Sequence, residues 1–437
     1  MKPITEELLA RCRKGYEEDT HAQTLTAAAA KTEYADLAFQ PLAAAKLSGR
    51  FSVELKNRGV TAQRQSGRCW MFAVMNMLRE KAADKMNVEA FTLSGNYLAF
   101  YDKLEKANNF LEMVIENAGL PLNDRKMEYI LTGFGDGGYW NMAVDLVKKY
   151  GVVPSEVMPE THQSEHTAVF TKVTRSLLRK DAAELRRMIA AGEDVTARKE
   201  EMVAEIYKAQ CIAFGEPPQV FDFSWRDKDD VFHECRNLTP KRFYEEFIGV
   251  DLDDYVTVTN HPTPGLPMNL HYFFHYTGSM AEGNVYNLNL TMDELEVLCV
   301  KQLKAGEPVW FGCDSGAYGS RSDGVWDPAS LDYEGLMGGV DLTMTKSDRL
   351  QYRESYATHA MILIGVNFDE NGRPERWKIE NSWGEENGKK GLFVCSEAYF
   401  REFVYEGIIR KDLLSDAQRA LLEKPPVEIN GWESDTL

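Results

Sequence analysis

Gln63-Arg64-Gln65-Ser66-Gly67-Arg68-Cys69-Trp70-Met71-Phe72-Ala73 decides how the rest of this chain is read. The stretch sets a cysteine where a turn-forming Ser66-Gly67 gives way to a helical pattern. Met71, Val74, Met75, Leu78 and Ala82 follow the i, i+3, i+4, i+7 rule, so a helix opening at Cys69 is expected to be buried along that face. A thiol is mostly protonated at neutral pH. It becomes a strong nucleophile when a helix N-terminus and an imidazolium both favour the thiolate. A cysteine seen alone is more often a small buried apolar residue. The Gln, Ser-Gly and Trp around Cys69 turn the reading toward a nucleophile.

Two distant segments supply what such a thiol needs. Thr358-His359-Ala360 places a histidine at the start of the strand-like run Ala360–Val366, where it can face a cleft while its neighbours face a core. His359 is expected to pair with Cys69 as an ion pair and to protonate the leaving amine. It would then activate water. Asn381 follows 22 residues later (381 − 359), after the strand-like Trp377–Glu380. Two neighbouring strands would bring its side-chain oxygen to the imidazole and fix the tautomer, as the third member of a triad does. Trp383 could shield that bond from water. Gln63 could donate its side-chain N–H to an oxyanion, together with the Cys69 backbone N–H. Thiol, imidazole and amide in this order name a reaction class, acyl transfer to water through a thioester.

Composition fits a folded enzyme. The 437 residues include 44% apolar and 11% aromatic residues, enough to bury a large core. With 68 acidic against 50 basic residues the formal charge is −18, which argues against nucleic acid and against an anionic membrane as partners. No run approaches about 20 consecutive apolar residues, and the first residues carry no signal-peptide pattern. Seven cysteines (12, 69, 211, 235, 299, 313, 395) are widely spaced without a Cys-x-x-Cys, the pattern of reduced cytoplasmic thiols.

Helical patterns come first and strand patterns later, the order of an α+β protein. Residues 1–50 read as an N-terminal arm with an amphipathic helix over 5–18. Residues 51–165 read as a helical lobe carrying the nucleophile. Residues 166–255 form a large helical insertion, with long patterns over Val169–Ala191 and Val195–Phe214 split by Gly192. Residues 256–420 form a β-rich lobe carrying His359 and Asn381, with strand-like Tyr255–Val258, Val309–Phe311, Met361–Ile364 and Arg376–Ile379. Tyr405 to Leu422 looks helical at its end, and 421–437 is a tail placed near the active site.

The chain resembles the papain-like cysteine peptidases and, within them, the bleomycin hydrolase and aminopeptidase C group. Gln63-x-x-Ser66-Gly67-Arg68-Cys69-Trp70, Thr358-His359-Ala360-Met361 and Glu380-Asn381-Ser382-Trp383-Gly384-Glu385 carry the likeness. Gly135-Asp136-Gly137-Gly138-Tyr139-Trp140, Tyr150-Gly151-Val152-Val153-Pro154 and Val309-Trp310-Phe311-Gly312-Cys313-Asp314 support it. The likeness implies a papain-like two-lobed fold, a helical lobe against a β-barrel-like lobe. The gap of 290 residues from Cys69 to His359 (359 − 69) leaves room for the insertion. By the likeness Cys69, His359 and Asn381 match the family's catalytic residues and Gln63 its oxyanion donor. Gly137 and Gly138 match a glycine pair that holds an extended peptide, where the absence of a Cβ permits close approach. The likeness also implies peptide substrates, no cofactor and a cytosolic homohexamer with its sites facing an inner chamber.

In the aminopeptidases of this group the C-terminal residues lie in the cleft, and the terminal carboxylate holds the substrate's amino group. That role would fall to Leu437. The family tail reads Trp-Asp-Pro-Met-Gly and then small residues. Here it is Trp432-Glu433-Ser434-Asp435-Thr436-Leu437. The departure keeps an oligopeptide endopeptidase open beside the aminopeptidase. A binding protein with an inert site is disfavoured, because Gln63, Cys69, His359 and Asn381 are all intact. An acyltransferase would differ in letting amines outcompete water. The pairs His162/His166 and His271/His275 lack the Glu of a zinc peptidase motif, and no metal site is expected. Gly133–Gly138 lacks the spacing of a phosphate loop.

Overall fold

The computed structural model describes residues 1–47 and 49–433. Its fold is α+β, with a helical lobe facing one extended sheet. Helices α1 (Cys69–Met86), α2 (Gly95–Glu116) and α3 (Trp140–Tyr150) build the helical lobe. Helices α4 (Ala168–Ala190) and α5 (Thr196–Phe214) cover α2 from outside through a cluster including Phe110, Val114, Leu178, Leu185, Met202 and Ile206. A two-stranded hairpin, Phe221–Arg226 with Phe232–Leu238, follows them. It was not foreseen among the helical patterns. In the arm, helices Glu6–Glu18 and Thr20–Ala29 bury no residue.

The sheet uses β1 (Tyr255–Thr259), β2 (Leu270–His275), β3 (Val285–Asn289), β4 (Val309–Cys313) and β5 (His359–Phe368). It continues with β6 (Pro374–Glu380), β7 (Leu392–Ser396), β8 (Val404–Arg410) and β9 (Val427–Asn430). The order across it is β9-β2-β3-β1-β8-β4-β5-β6-β7, extended by the short pairs Val325–Trp326 and Gly319–Ser320. Helix α6 (Met292–Lys304), opened by a Thr291/Glu294 capping box, packs on one face and α1 on the other.

Strand β5 shows how period-2 alternation builds both cores. Ala360, Ile362 and Ile364 face α1, while Met361 and Leu363 face the α6 side. A register irregularity between Leu363 and Gly365 then sends Val366 to the α6 side. Helix α1 is more deeply placed than its pattern suggests. Met71, Val74, Met75, Leu78 and Ala82 are buried as expected, but so are Trp70, Phe72, Ala73, Asn76, Met77 and Arg79. A helix between two lobes has no solvent face over its first turns, so its amphipathic stripe understates its burial.

Candidate active site

Cys69 is the first residue of α1 and lines a cleft between the helical lobe and the sheet. The turn before it is locked. The Arg68 guanidinium, almost fully buried, donates to both oxygens of Glu160 at 3.1 and 3.0 Å and to Ser66 Oγ at 2.9 Å. Trp310 Nε1 donates to the Trp70 carbonyl at 3.0 Å and ties the helix start to β4. The thiol faces the backbone N–H groups of Ala360, Trp70 and Cys69 itself. Burial still pushes its pKa up, and Glu406 adds to the rise.

His359 opens β5 and Asn381 directly follows β6. The two strands run antiparallel, with Ile362 opposite Glu380, so the start of one lies beside the end of the other. His359 Nε2 is 2.8 Å from Asn381 Oδ1. A carbonyl oxygen only accepts, so the ring carries its hydrogen on Nε2 and leaves Nδ1 as the basic nitrogen. Ser382 N–H also donates to Asn381 Oδ1 at 2.8 Å, which fixes the amide. The Trp383 ring covers the imidazole at 4.8 Å, and the Arg321 guanidinium lies over its indole at 4.7 Å. Burial pushes the imidazole pKa down to about 4. The bond to Asn381 opposes this and Arg321 reinforces it. Each group alone therefore resists charge.

Gln63 enters the cleft because residues 61–63 run beside 382–384. Gln63 N–H donates to the Ser382 carbonyl at 2.8 Å and Gly384 N–H to the Thr61 carbonyl at 3.0 Å. The Gln63 amide is clamped, Oε1 accepting from Ser382 Oγ at 2.7 Å and Nε2 donating to the Ser66 carbonyl at 2.6 Å. Among the described residues one N–H of Nε2 stays uncommitted. Residues 381 and 382 thus hold both the imidazole and the amide. The clamping role of Ser382 was not read from the sequence, where the residue stands only as part of the Glu380–Glu385 motif.

Gly137 and Gly138 form the opposite wall. Asp136 anchors this loop, bonded to Lys103, Thr167 and Thr171, and its carbonyl accepts from Trp70 Nε1 at 2.9 Å. Burial alone would raise the Asp136 pKa, but Lys103 and the two hydroxyls hold it well below the usual carboxylate range. Lys106 Nζ donates to the Gly137 carbonyl at 2.6 Å. A Cβ at Gly138 would meet the Trp70 indole, so only glycine lets this edge lie against the helix start.

The described end of the tail reaches the same cleft. β9 pairs in parallel with β2, and Trp432 then packs against Tyr276 at 5.1 Å and Tyr129 at 6.1 Å, two cleft residues. Leu437 lies outside the described residues. The other histidine pairs are not part of the cleft lining. The rings of His162 and His166 stack at 4.2 Å, while His275 bonds Glu428. Among the described residues no group of three or more His, Cys, Asp or Glu could hold a metal ion, and no helix is long and apolar enough to cross a membrane. All seven cysteines are free.

Residues 3–436 match the Peptidase C1-like family. Aminopeptidase C of Lactococcus lactis subsp. lactis (strain IL1403) is 40% identical over 385 residues, covering 88% of this chain and 87% of that protein. Aminopeptidase G of Lactobacillus delbrueckii subsp. lactis is 41% identical over 440 residues, 99% of each chain. The crystal structure of pepw from Lactobacillus rhamnosis HN001 superposes with a TM-score of 0.96 at 38% identity, covering 99% of this chain and 98% of that one. With the family matched over nearly the whole chain and the fold shared with a relative, this protein is a cysteine peptidase of the Peptidase C1-like family.

Proposed function

We propose that the chain is an aminopeptidase that removes residues from free N-termini of peptides, with Cys69 as nucleophile, His359 as acid and base and Asn381 as the residue that orients the imidazole. His359 Nδ1 takes the thiol proton as sulfur attacks the carbonyl carbon of the scissile bond. The oxyanion receives the free N–H of Gln63 Nε2 and the N–H of Cys69, which at the start of a helix has no carbonyl partner within it. The imidazolium protonates the leaving amine. A thioester on Cys69 remains, and water deprotonated at Nδ1 hydrolyses it. Among the described residues no hydrogen bond engages the N–H or C=O of Gly138, so this edge can pair with an extended peptide.

The observation that carries the aminopeptidase reading is the path of the tail. Parallel pairing of β9 with β2 delivers Trp432 onto Tyr129 and Tyr276 at the end of the cleft, which favours a cleft closed behind one residue. The names of the relatives agree. A cytoplasmic hexamer belongs to the same reading and rests on family membership and the free thiols. The altered sequence Glu433-Ser434-Asp435-Thr436-Leu437 favours the second reading, an endopeptidase on oligopeptides. One fluorogenic peptide offered with a free and with an acetylated N-terminus separates the two. The aminopeptidase releases single residues from the free form and leaves the acetylated form uncut. Internal cleavage of both forms at similar rates would establish the endopeptidase.

A further inference from the structure

We propose that Glu406 is a specificity-determining residue of the cleft, accepting an ammonium or guanidinium group carried by the acyl part of the peptide. The inference rests on the peptidase reading above for the direction in which the peptide lies. Glu406 sits in β8, between β1 and β4, and only 8% of it is exposed. It lines the cleft with Cys69, Tyr139, Trp310 and Ala360. A Cβ on Gly312, its neighbour on β4, would collide with the Glu406 carboxyl, so that strand leaves a notch in which the carboxyl rests.

What sets Glu406 apart is the lack of a partner. Other carboxylates near the site hold a cation or, like Asp314 with Ser355 and Thr358, are met by hydroxyls. Asp102 has Lys106 at 2.9 Å, Glu380 has Arg79 at 2.6 Å and Asp136 has Lys103. Among the described residues no ion pair or side-chain hydrogen bond reaches Glu406, and its oxygens are not sealed from the cleft. The titratable groups that feel its charge are Cys69 on α1, Tyr139 before α3 and Cys313 on β4, none of them a cation. Of the other charged or titratable cleft residues, Lys106 is committed to Asp102 and the Gly137 carbonyl, and His359 to Asn381. An unpaired buried carboxyl costs stability, and the fold retains one beside the nucleophile. Burial pushes its pKa up to about 7, so an arriving cation would hold it ionised. Tyr139 follows Gly138, the edge along which the acyl part of an extended peptide would run, so the cation lies on the amino-terminal side of the scissile bond. Two groups there carry it, the α-amino group and a basic side chain.

Binding to the full chain carrying Cys69→Ala, which does not turn over, tests this apart from catalysis. Calorimetry compares a lysyl peptide with its norleucyl equivalent, each free and acetylated, with Glu406 and with Glu406→Gln. If the side chain is the source, the lysyl peptides bind about tenfold tighter, acetylation has no effect and Glu406→Gln removes the preference. If the α-amino group is the source, both free peptides bind tighter and Glu406→Gln removes that difference. Equal loss on all four peptides, or no loss, overturns the proposal. Melting provides the second measurement. A carboxyl whose folded pKa is raised by burial destabilises the fold only above its unfolded pKa, increasingly up to its folded value. Glu406→Gln should therefore melt above the unmodified chain at pH 8 and with it at pH 4. Melting below it at both values would mark a structural carboxyl and also overturn the proposal.

Discussion

Cys69→Ala loses peptide hydrolysis by about four to six orders of magnitude, as removal of a nucleophile does where triad members act as a unit. The fold should be unaffected. Cys69 is only half-buried, it starts a helix whose stability comes from packing further along, and alanine is a good helix former. The thermal midpoint should stay with that of the unmodified chain. Gln63, Ser66, Arg68 and Trp310 hold the turn through bonds that do not involve the thiol. Turnover that survives the substitution would remove Cys69 from the chemistry and leave Asn381 and His359 without a purpose.

Arg79→Ala melts far below the unmodified chain, with a loss of about 3–5 kcal/mol, because it strands a buried charge. Arg79 Nη2 and Glu380 Oε1 are 2.6 Å apart, and both side chains are 1% exposed. Arg79 also donates to Asn76 Oδ1 at 3.0 Å, and Asn57 donates to Glu380. Burial pushes the Glu380 pKa up and Arg79 holds it back, so removing Arg79 leaves the carboxyl to take up a proton or destabilise the lobe interface. Glu380 directly precedes Asn381, so activity should fall as well, through the orientation of His359. Replacing both partners by Met and Gln should recover part of the stability, since an apolar or neutral pair carries no stranded charge. An Arg79→Ala chain that melts with the unmodified one would show that the pair does not hold helix and sheet together.

Much of the site was legible because its parts are local. Cys69 announces itself by a turn followed by helical spacing, and His359 and Asn381 each stand at the end of a strand-like run. Their meeting follows from antiparallel pairing of β5 with β6. Helices α4 and α5 matched their patterns, Ala168–Ala190 against Val169–Ala191 and Thr196–Phe214 against Val195–Phe214. Glycine at 192 separates them cleanly. Elements whose burial depends on distant partners were less legible. β8 was not anticipated, because Glu406 and Gly407 interrupt its apolar run. The charge inside Val404-Tyr405-Glu406-Gly407-Ile408 was the signal that a cleft passes there. The hairpin strand Phe221–Arg226 does alternate, with Phe221 and Phe223 buried and Asp222 and Ser224 exposed, but it is short and follows two long helical patterns that carry the stronger signal. Clamps such as Ser382 on Gln63, 319 residues apart, leave no trace in spacing.

The central claim is that the Cys69 sulfur attacks the peptide carbonyl. A short peptidyl chloromethyl ketone with a free N-terminus, followed by digestion and mass mapping of all seven cysteines, tests it most directly. One adduct per chain is expected, on Cys69, formed in step with the loss of turnover. Activity lost without an adduct on Cys69, or an adduct on Cys69 with turnover retained, would contradict it.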